Sequence, residues 1–184
     1  VTEVVRLTLV SHAMTDAMAA GRFPADEPLN DTGLRHVEAA AGLGAVAADT
    51  RQLSGPERRA RQTAQLLGLH VTTEPRLADL DCGRWRGQAL DDVDPTDLRR
   101  WLAEPASAPH GGESILDLID RVSVWLESLS DNTLRTVAVT HPAVIRAAVL
   151  LALKAPAESF WRIDVTPASR TTLHFRQNRW TLRI

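Results

Sequence analysis

At 184 residues and 20.1 kDa, with a formal net charge of −2 and a pI near 6.3, the chain has the length of one domain with one core. It has no bulk positive charge to draw it to nucleic acid or to an anionic membrane. Its single cysteine, Cys82, excludes an intramolecular disulfide and argues against a thiolate metal cluster, and no apolar run approaches the roughly 20 residues of a membrane span. The expectation is a soluble, cytoplasmic, single domain over residues 1–184 without nucleic-acid or membrane partners, its oligomeric state left open.

Strand and helix signals alternate along the chain. The apolar, β-branched run Leu7-Thr8-Leu9-Val10 predicts a buried strand that stops on Ser11-His12-Ala13. A connection punctuated by glycine and proline follows from Met14 to Leu29, and Asn30 supplies a cap for a helix expected to run to about Ala48. Arg51 to Ser54 predicts a short strand that breaks at Gly55-Pro56 and opens a helix carrying Arg58, Arg59 and Arg61. Leu69 to Thr73 reads as another short strand. From Leu77 to Gly87 acidic, glycine and tryptophan residues mix in the manner of a functional loop. Asp97 to Ala103 is expected to be helical, and Ser114 with Asp117 forms a capping box for a helix with Ile115, Leu118, Ile119, Val122, Trp125 and Leu126 on its apolar face. Val137 to Thr140 is a strand stopping on His141, and Pro142 starts a helix to about Leu153 because proline loses no needed donor there. Three strands are expected in the tail, over Ser159–Val165, Thr171–Arg176 and Trp180–Ile184, the last two joined by a turn at Gln177-Asn178.

Three strands thus end on polar residues, and in α/β folds ligands bind in the crevice outside the carboxyl ends of the strands. If the three lie side by side and parallel, two histidines and an arginine cluster meet at one edge. Either histidine alone would read as an ordinary core or loop residue. Together with a guanidinium, whose fork of donors matches phosphate oxygens, they point to phosphate handling. Only one or two of Arg58, Arg59 and Arg61 can face such a crevice. A neutral imidazole can attack phosphorus when its other nitrogen is held by an acceptor, and the strand-end backbone near His12 can supply one. Arg22, Arg84, Arg86 and His110 are further candidates for the pocket mouth.

The segment Ser54-Gly55-Pro56-Glu57-Arg58-Arg59-Ala60-Arg61-Gln62-Thr63-Ala64 resembles the Ser-x-Pro-x-x-Arg-Ala-x-x-Thr-Ala segment of the histidine phosphatase superfamily, the phosphoglycerate-mutase-like proteins. Leu77 to Gly87 resembles that family's Leu-x-Glu-x-x-x-Gly-x-Trp-x-Gly loop. Gly111-Gly112-Glu113-Ser114 matches its Gly-Gly-Glu-Ser turn, and Val139-Thr140-His141 with Val144-Ile145-Arg146 resembles its second-histidine segment. The resemblance implies a three-layer α/β/α sandwich with a mainly parallel central sheet and a phosphomonoester hydrolase working on a small phosphorylated metabolite through a phosphohistidine. His12 would attack phosphorus, Arg59 and His141 would hold the phosphoryl oxygens, and Asp79 would protonate the leaving alcohol. Ser11, Thr140, Arg58 and Glu113 are expected to contact the substrate, and no metal or organic cofactor is implied.

Three departures accompany the match. The family's Arg-His-Gly is here Ser11-His12-Ala13, so a phosphate-binding arginine is absent, and losing one such donor costs roughly 100- to 1,000-fold in rate. Asp79 is one methylene shorter than the family glutamate. Ala13 adds a methyl group where the backbone nears the ligand. These departures leave open a catalytically impaired binding or regulatory protein as the alternative to a hydrolase, with phosphoglycerate mutase the least favoured reading.

Overall fold

The computed structural model describes residues 3–39, 46–131 and 135–184. The strands β1 (Val5–Ser11), β2 (Arg51–Ser54), β3 (Thr72–Thr73), β4 (Arg135–Thr140), β5 (Arg170–Arg176) and β6 (Arg179–Arg183) form one sheet in the order β3-β2-β4-β1-β5-β6. The first four in that order are mutually parallel, whereas β5 and β6 run antiparallel at the other edge. The α-helices among the described residues are α1 (Asp16–Ala20), α2 (Asp31–Ala39), α3 (Arg58–Leu66), α4 (Pro95–Ala103), α5 (Ile115–Leu129) and α6 (Pro142–Leu153).

Alternation along β1 sets the layers, because successive strand side chains point to opposite faces. Leu7 and Leu9 pack with Leu118, Val122 and Trp125 of α5 and Ile145 and Ala148 of α6. Val10, with Val137 and Val139 of β4, packs against Ala60 and Ala64 of α3. Helix α2 adds Val37 to a small core with Ala13 and Leu29. The sheet is therefore covered on both faces, as its near-continuous apolar strands require.

Local capping follows the sequence closely. Asn30 Oδ1 accepts the Gly33 N–H at 2.9 Å at the start of α2. Ser114 and Asp117 exchange the two hydrogen bonds of a capping box, each at 3.0 Å, which fixes where α5 begins. Gln177 and Asn178 both take positive φ, 50° and 59°, the combination that a tight turn between twisted antiparallel strands needs.

Several expectations are corrected. The segment Ser159–Val165 is not a strand: residues Ala157–Arg162 form a 3₁₀ helix after Pro156. Both edges of β1 are already taken by β4 and β5, and Phe160 turns into the main core instead. Strand β3 is shorter than Leu69–Thr73, because the Leu69 N–H is consumed by Ala64 O at the end of α3 and the His70 N–H by Gln52 Oε1. Helix α2 is described to Ala39; residues 40–45 of the expected helix lie outside the described residues, and Val46 to Ala48 are not helical. The long connection after β1 contains α1, capped by Thr15 and closed by Gly21 at φ 64°.

Candidate active site

The tips of β1, β2 and β4 lie side by side. The register pairs Ser11 with Thr140 and Ser54 with Val139, and the backbone bonds continue one residue beyond, from His12 N–H to Thr140 O and from Gly55 N–H to Val139 O, both 2.9 Å. His12, Gly55 and His141 therefore leave the sheet at one edge. The two imidazoles meet edge-on with centroids 5.1 Å apart, and Arg59, in the first turn of α3, reaches the same place.

His12 is 3% exposed, and its Nδ1 lies 2.8 Å from Ala13 O. With Nδ1–H donating to that carbonyl, Nε2 keeps its lone pair. Burial, reinforced by His141 nearby, pulls the His12 pKa down from 6.5 to about 3, so the ring is neutral across the physiological range. This is the anchored, unprotonated imidazole that nucleophilic attack requires.

Arg59 is 2% exposed and donates from one terminal nitrogen to Ala25 O at 2.8 Å and from the other to Asp79 Oδ2 at 2.6 Å. Burial alone would raise the Asp79 pKa, but the proximity of His141 and Arg59 outweighs it and holds the carboxyl at about 2. Asp79 is held in turn by its loop. Arg121 of α5 donates to Arg76 O at 2.8 Å and Ala78 O at 2.9 Å while pairing through two nitrogens with Glu113. On the far side of that loop, Gly83 and Gly112 cross so tightly that a Cβ on either would fall 2.2 Å from His110 O or 2.1 Å from Asp81 O. Only glycine fits there.

His141 has no exposed surface. Its Nε2 is 2.5 Å from Glu57 Oε2 and its Nδ1 is 3.4 Å from Asp79 Oδ2. Glu57 also accepts the Asp79 N–H at 3.0 Å through its other oxygen. Burial would raise the Glu57 pKa, but its hydrogen bond to His141 brings it below the ordinary carboxylate value. One guanidinium and two carboxylates thus surround the histidine pair, where the family pattern would place a second guanidinium on residue 11.

A cavity of about 250 Å³ opens beside this cluster, lined by His12, Arg59 and Asp79 and, beyond them, mostly by apolar side chains including Met18, Phe23, Leu90 and Trp161. Cys82 also lines it, but burial pushes its thiol up to about 12, with Asp79 and Asp81 adding to the effect, so it offers no thiolate.

The sequence-predicted residues divide into two groups. His12, Arg59 and Asp79 converge on the cavity and His141 backs them. None of the four residues expected to contact the substrate is in the cavity lining. Ser11 is fully enclosed, with its hydroxyl turned to His12 O at 3.4 Å. Thr140 is also enclosed and donates to Leu77 O at 2.8 Å, tying β4 to the Asp79 loop. Arg58 is exposed, away from the cavity lining, with its N–H on Asp26. Glu113 pairs with Arg121 and supports the loop from behind. At the mouth, Arg22 lines the cavity and Arg86 a smaller adjoining one, whereas Arg84 donates to Pro109 O. His110 is a core residue, wedged between Trp85 and Trp101 with centroids at 5.1 and 4.5 Å. Ala13 turns its added methyl group into the small core with Leu29 and Val37 rather than toward the ligand.

Sequence reasoning passed over Glu57 and Arg146. Both sit inside the quoted motifs, and their types, a carboxylate two residues before the arginine and a cation in an otherwise apolar helix, are the signals that could have marked them.

Known proteins carry the same pattern. The family model described as "Histidine phosphatase superfamily (branch 1)" matches residues 7–184. Phosphoserine phosphatase 1 of Hydrogenobacter thermophilus is 29% identical over 188 residues, covering 96% of this chain and 89% of that one. A bifunctional protein of Mycobacterium tuberculosis is 31% identical over 190 residues, 92% of this chain, which spans only 50% of that relative's length. Among solved structures, a mycobacterial glucosyl-3-phosphoglycerate phosphatase in complex with VO3 superposes with a TM-score of 0.84 at 28% identity, covering 98% of each chain. No helix of the described residues is long and apolar enough to cross a membrane. With the family match spanning the sheet, both histidines and the arginine between them in sequence, this chain belongs to the histidine phosphatase superfamily, branch 1.

Proposed function

We propose that the chain is a phosphomonoester hydrolase that works through a phosphohistidine on His12. The observation that carries this is the His12 ring itself: neutral, anchored through Nδ1, and set in a cavity beside a buried guanidinium.

The Arg59–Asp79 pair gives the reaction its order. Without substrate, Asp79 is fully ionised and a poor acid. A phosphoryl dianion entering the cavity competes for the Arg59 donors, so Asp79 loses its partner and gains a negative neighbour. Both changes raise its pKa toward a value useful for proton transfer. The His12 Nε2 lone pair then attacks phosphorus, the bond to the leaving oxygen breaks, and protonated Asp79 gives its proton to that oxygen. In the second half, Asp79 takes a proton from water as its oxygen attacks phosphorus, and the P–N bond breaks to free inorganic phosphate and restore His12. Arg59 stabilises the charge on the moving phosphoryl group in both halves. His141, held by Glu57, packs against the nucleophile and fixes its ring.

The charge balance favours a second reading, an impaired phosphatase fold retained for binding, because the Arg59 guanidinium is already paired with Asp79 and a second carboxylate, Glu57, sits on His141. Turnover separates the two. The hydrolase reading expects phosphate release from para-nitrophenyl phosphate that is abolished by His12→Ala and accompanied by a trapped phosphohistidine in the native chain. Release that survives His12→Ala would place the chemistry elsewhere. Saturable binding of phosphate without any release would favour the binding reading.

A further inference from the structure

Helix α6 carries one charged side chain, Arg146, about one and a half turns beyond His141. Its guanidinium lines the same cavity as His12 and Asp79. The Nε–H donates to Ile163 O at 2.7 Å, and the planar group lies 5.7 Å from the ring centroids of both Phe160 and Trp161. This fixes the stem and the plane. It also leaves the two terminal nitrogens as the donors that remain, side by side, in the end-on arrangement that grips both oxygens of a carboxylate.

Among the described residues, Arg146 makes no ion pair, although Arg59, Arg76, Arg100 and Arg121 each have a carboxylate partner. Asp164 and Asp79 lie near enough to favour its charge but neither pairs with it, and burial against the aromatic rings outweighs them and lowers its pKa. Such an arrangement is stabilised when an anion enters the cavity. The phosphoryl group already has its own cation in Arg59, at the strand tips. Arg146 instead stands with Trp161 on an aromatic wall of the same cavity, in a lining that is mostly apolar and whose other charged groups, besides Arg59 and Asp79, are Arg22 and Glu27.

We propose that Arg146 binds a carboxylate on the leaving-group side of the substrate, so that the ester hydrolysed is a monophosphate of a largely apolar alcohol bearing a carboxylate. The proposal rests on the hydrolase reading for its use in turnover, but not for the binding site itself. Arg146 is then the group that sets specificity, while the aromatic and aliphatic wall takes the body of the alcohol.

Two probe esters of similar shape test it, para-carboxyphenyl phosphate and its uncharged isostere para-carbamoylphenyl phosphate. The native chain should show a higher kcat/KM for the carboxylate. Arg146→Met should lower that value roughly 10- to 100-fold, what a charge-assisted, two-pronged bond contributes, while changing the carbamoyl ester by less than about threefold. Arg146→Lys should recover only part of the loss, since an ammonium lacks the fork. Because Arg146→Met gives up the hydrogen bond to Ile163 O but breaks no ion pair, a modest fall in melting temperature is expected, the same whichever ester is assayed, and a melt on the same preparation confirms that the variant is folded. An equal loss on both esters would mean that Arg146 grips the phosphoryl group or positions the nucleophile, and it would overturn the proposal. So would a native chain that does not distinguish the two. If neither ester is hydrolysed, the hydrolase reading fails, and calorimetric binding of the same two esters decides the matter. Tighter binding of the carboxylate that Arg146→Met abolishes sustains the site, whereas equal affinity or no binding of either ester removes it.

Discussion

Replacing Ser11 with arginine tests how far the missing clamp limits this site. Ser11 is the last residue of β1 and has no exposed surface. By strand alternation its side chain leaves the sheet on the same face as Leu7 and Leu9, the side from which Pro142, Ala143 and Arg146 of α6 line the cavity. An arginine there has a path to the phosphoryl site, and it would add a guanidinium to a site where Arg59 is paired with Asp79 and His141 with Glu57. A preorganised donor to the transferring group is worth roughly 100- to 1,000-fold in rate. The enclosed position takes back part of this, because overpacking a core site costs about 1–3 kcal/mol. For a chain of this size that corresponds to a melting temperature lower by about 2–12 °C. The expected result of Ser11→Arg is therefore a kcat on para-nitrophenyl phosphate raised about 10-fold or more, with tighter inhibition by inorganic phosphate and a lower Tm. Steady-state phosphate release and a thermal melt on the same preparation measure all three. A folded variant that binds phosphate more tightly with no gain in kcat would refute the reasoning, and Ser11→Arg combined with Asp79→Glu would then test whether the short acid is the remaining defect.

Acid should destabilise the fold, in a window set by His12 and Asp79. The folded pKa of His12 lies at about 3 against an ordinary 6.5, so between those values the unfolded chain binds more protons, and stability falls as pH drops from about 6.5 toward 3. Asp79, at about 2 against 3.8, extends the loss in the same direction at lower pH. Melts from pH 7 to 4 should show a declining Tm that His12→Gln flattens, and an unchanged slope would contradict the buried neutral imidazole. Arg121→Met removes the cation that ties Glu113 to the Asp79 loop. It should cost about 2 kcal/mol or more, seen as a Tm drop of several degrees, and should lower kcat because Asp79 is no longer held. Glu57→Gln keeps an oxygen for the Asp79 N–H but removes a negative charge from the site, so phosphate should bind at least severalfold more tightly by calorimetry. An unchanged affinity would show that Glu57 does not oppose the anion.

Much of this site is legible in the chain itself. His12 and His141 directly follow strand signals and Arg59 lies in the helix opened after a third, and the sheet edge gathers them because β2, β4 and β1 are adjacent and parallel. The helix starts at Asn30, Ser114 and Pro142 are equally legible, since a cap is a bond between residues three apart or fewer. The roles of Thr140, Glu113 and His110 were not. Each is a polar residue in or beside a functional motif, yet each is consumed by a partner that no local pattern names: Leu77 O, Arg121, and the two tryptophans.

What the sequence determined by itself was the order of the elements, the family pattern and the set of groups at the strand tips. These rest on side-chain periodicity, caps and turn residues, whose physical causes act within a few positions along the chain. Only the tertiary structure decided which charges meet. Arg59 finds Asp79 across 20 positions, Arg121 reaches Ala78 O across 43, and Glu57 meets His141 across 84. Such pairings are set by how α3, α5 and the Asp79 loop pack over one sheet edge. The same packing turns Ser159–Val165 away from the sheet, because β4 and β5 already occupy both sides of β1, and leaves the Arg146 guanidinium on the wall of the cavity with no carboxylate paired to it among the described residues.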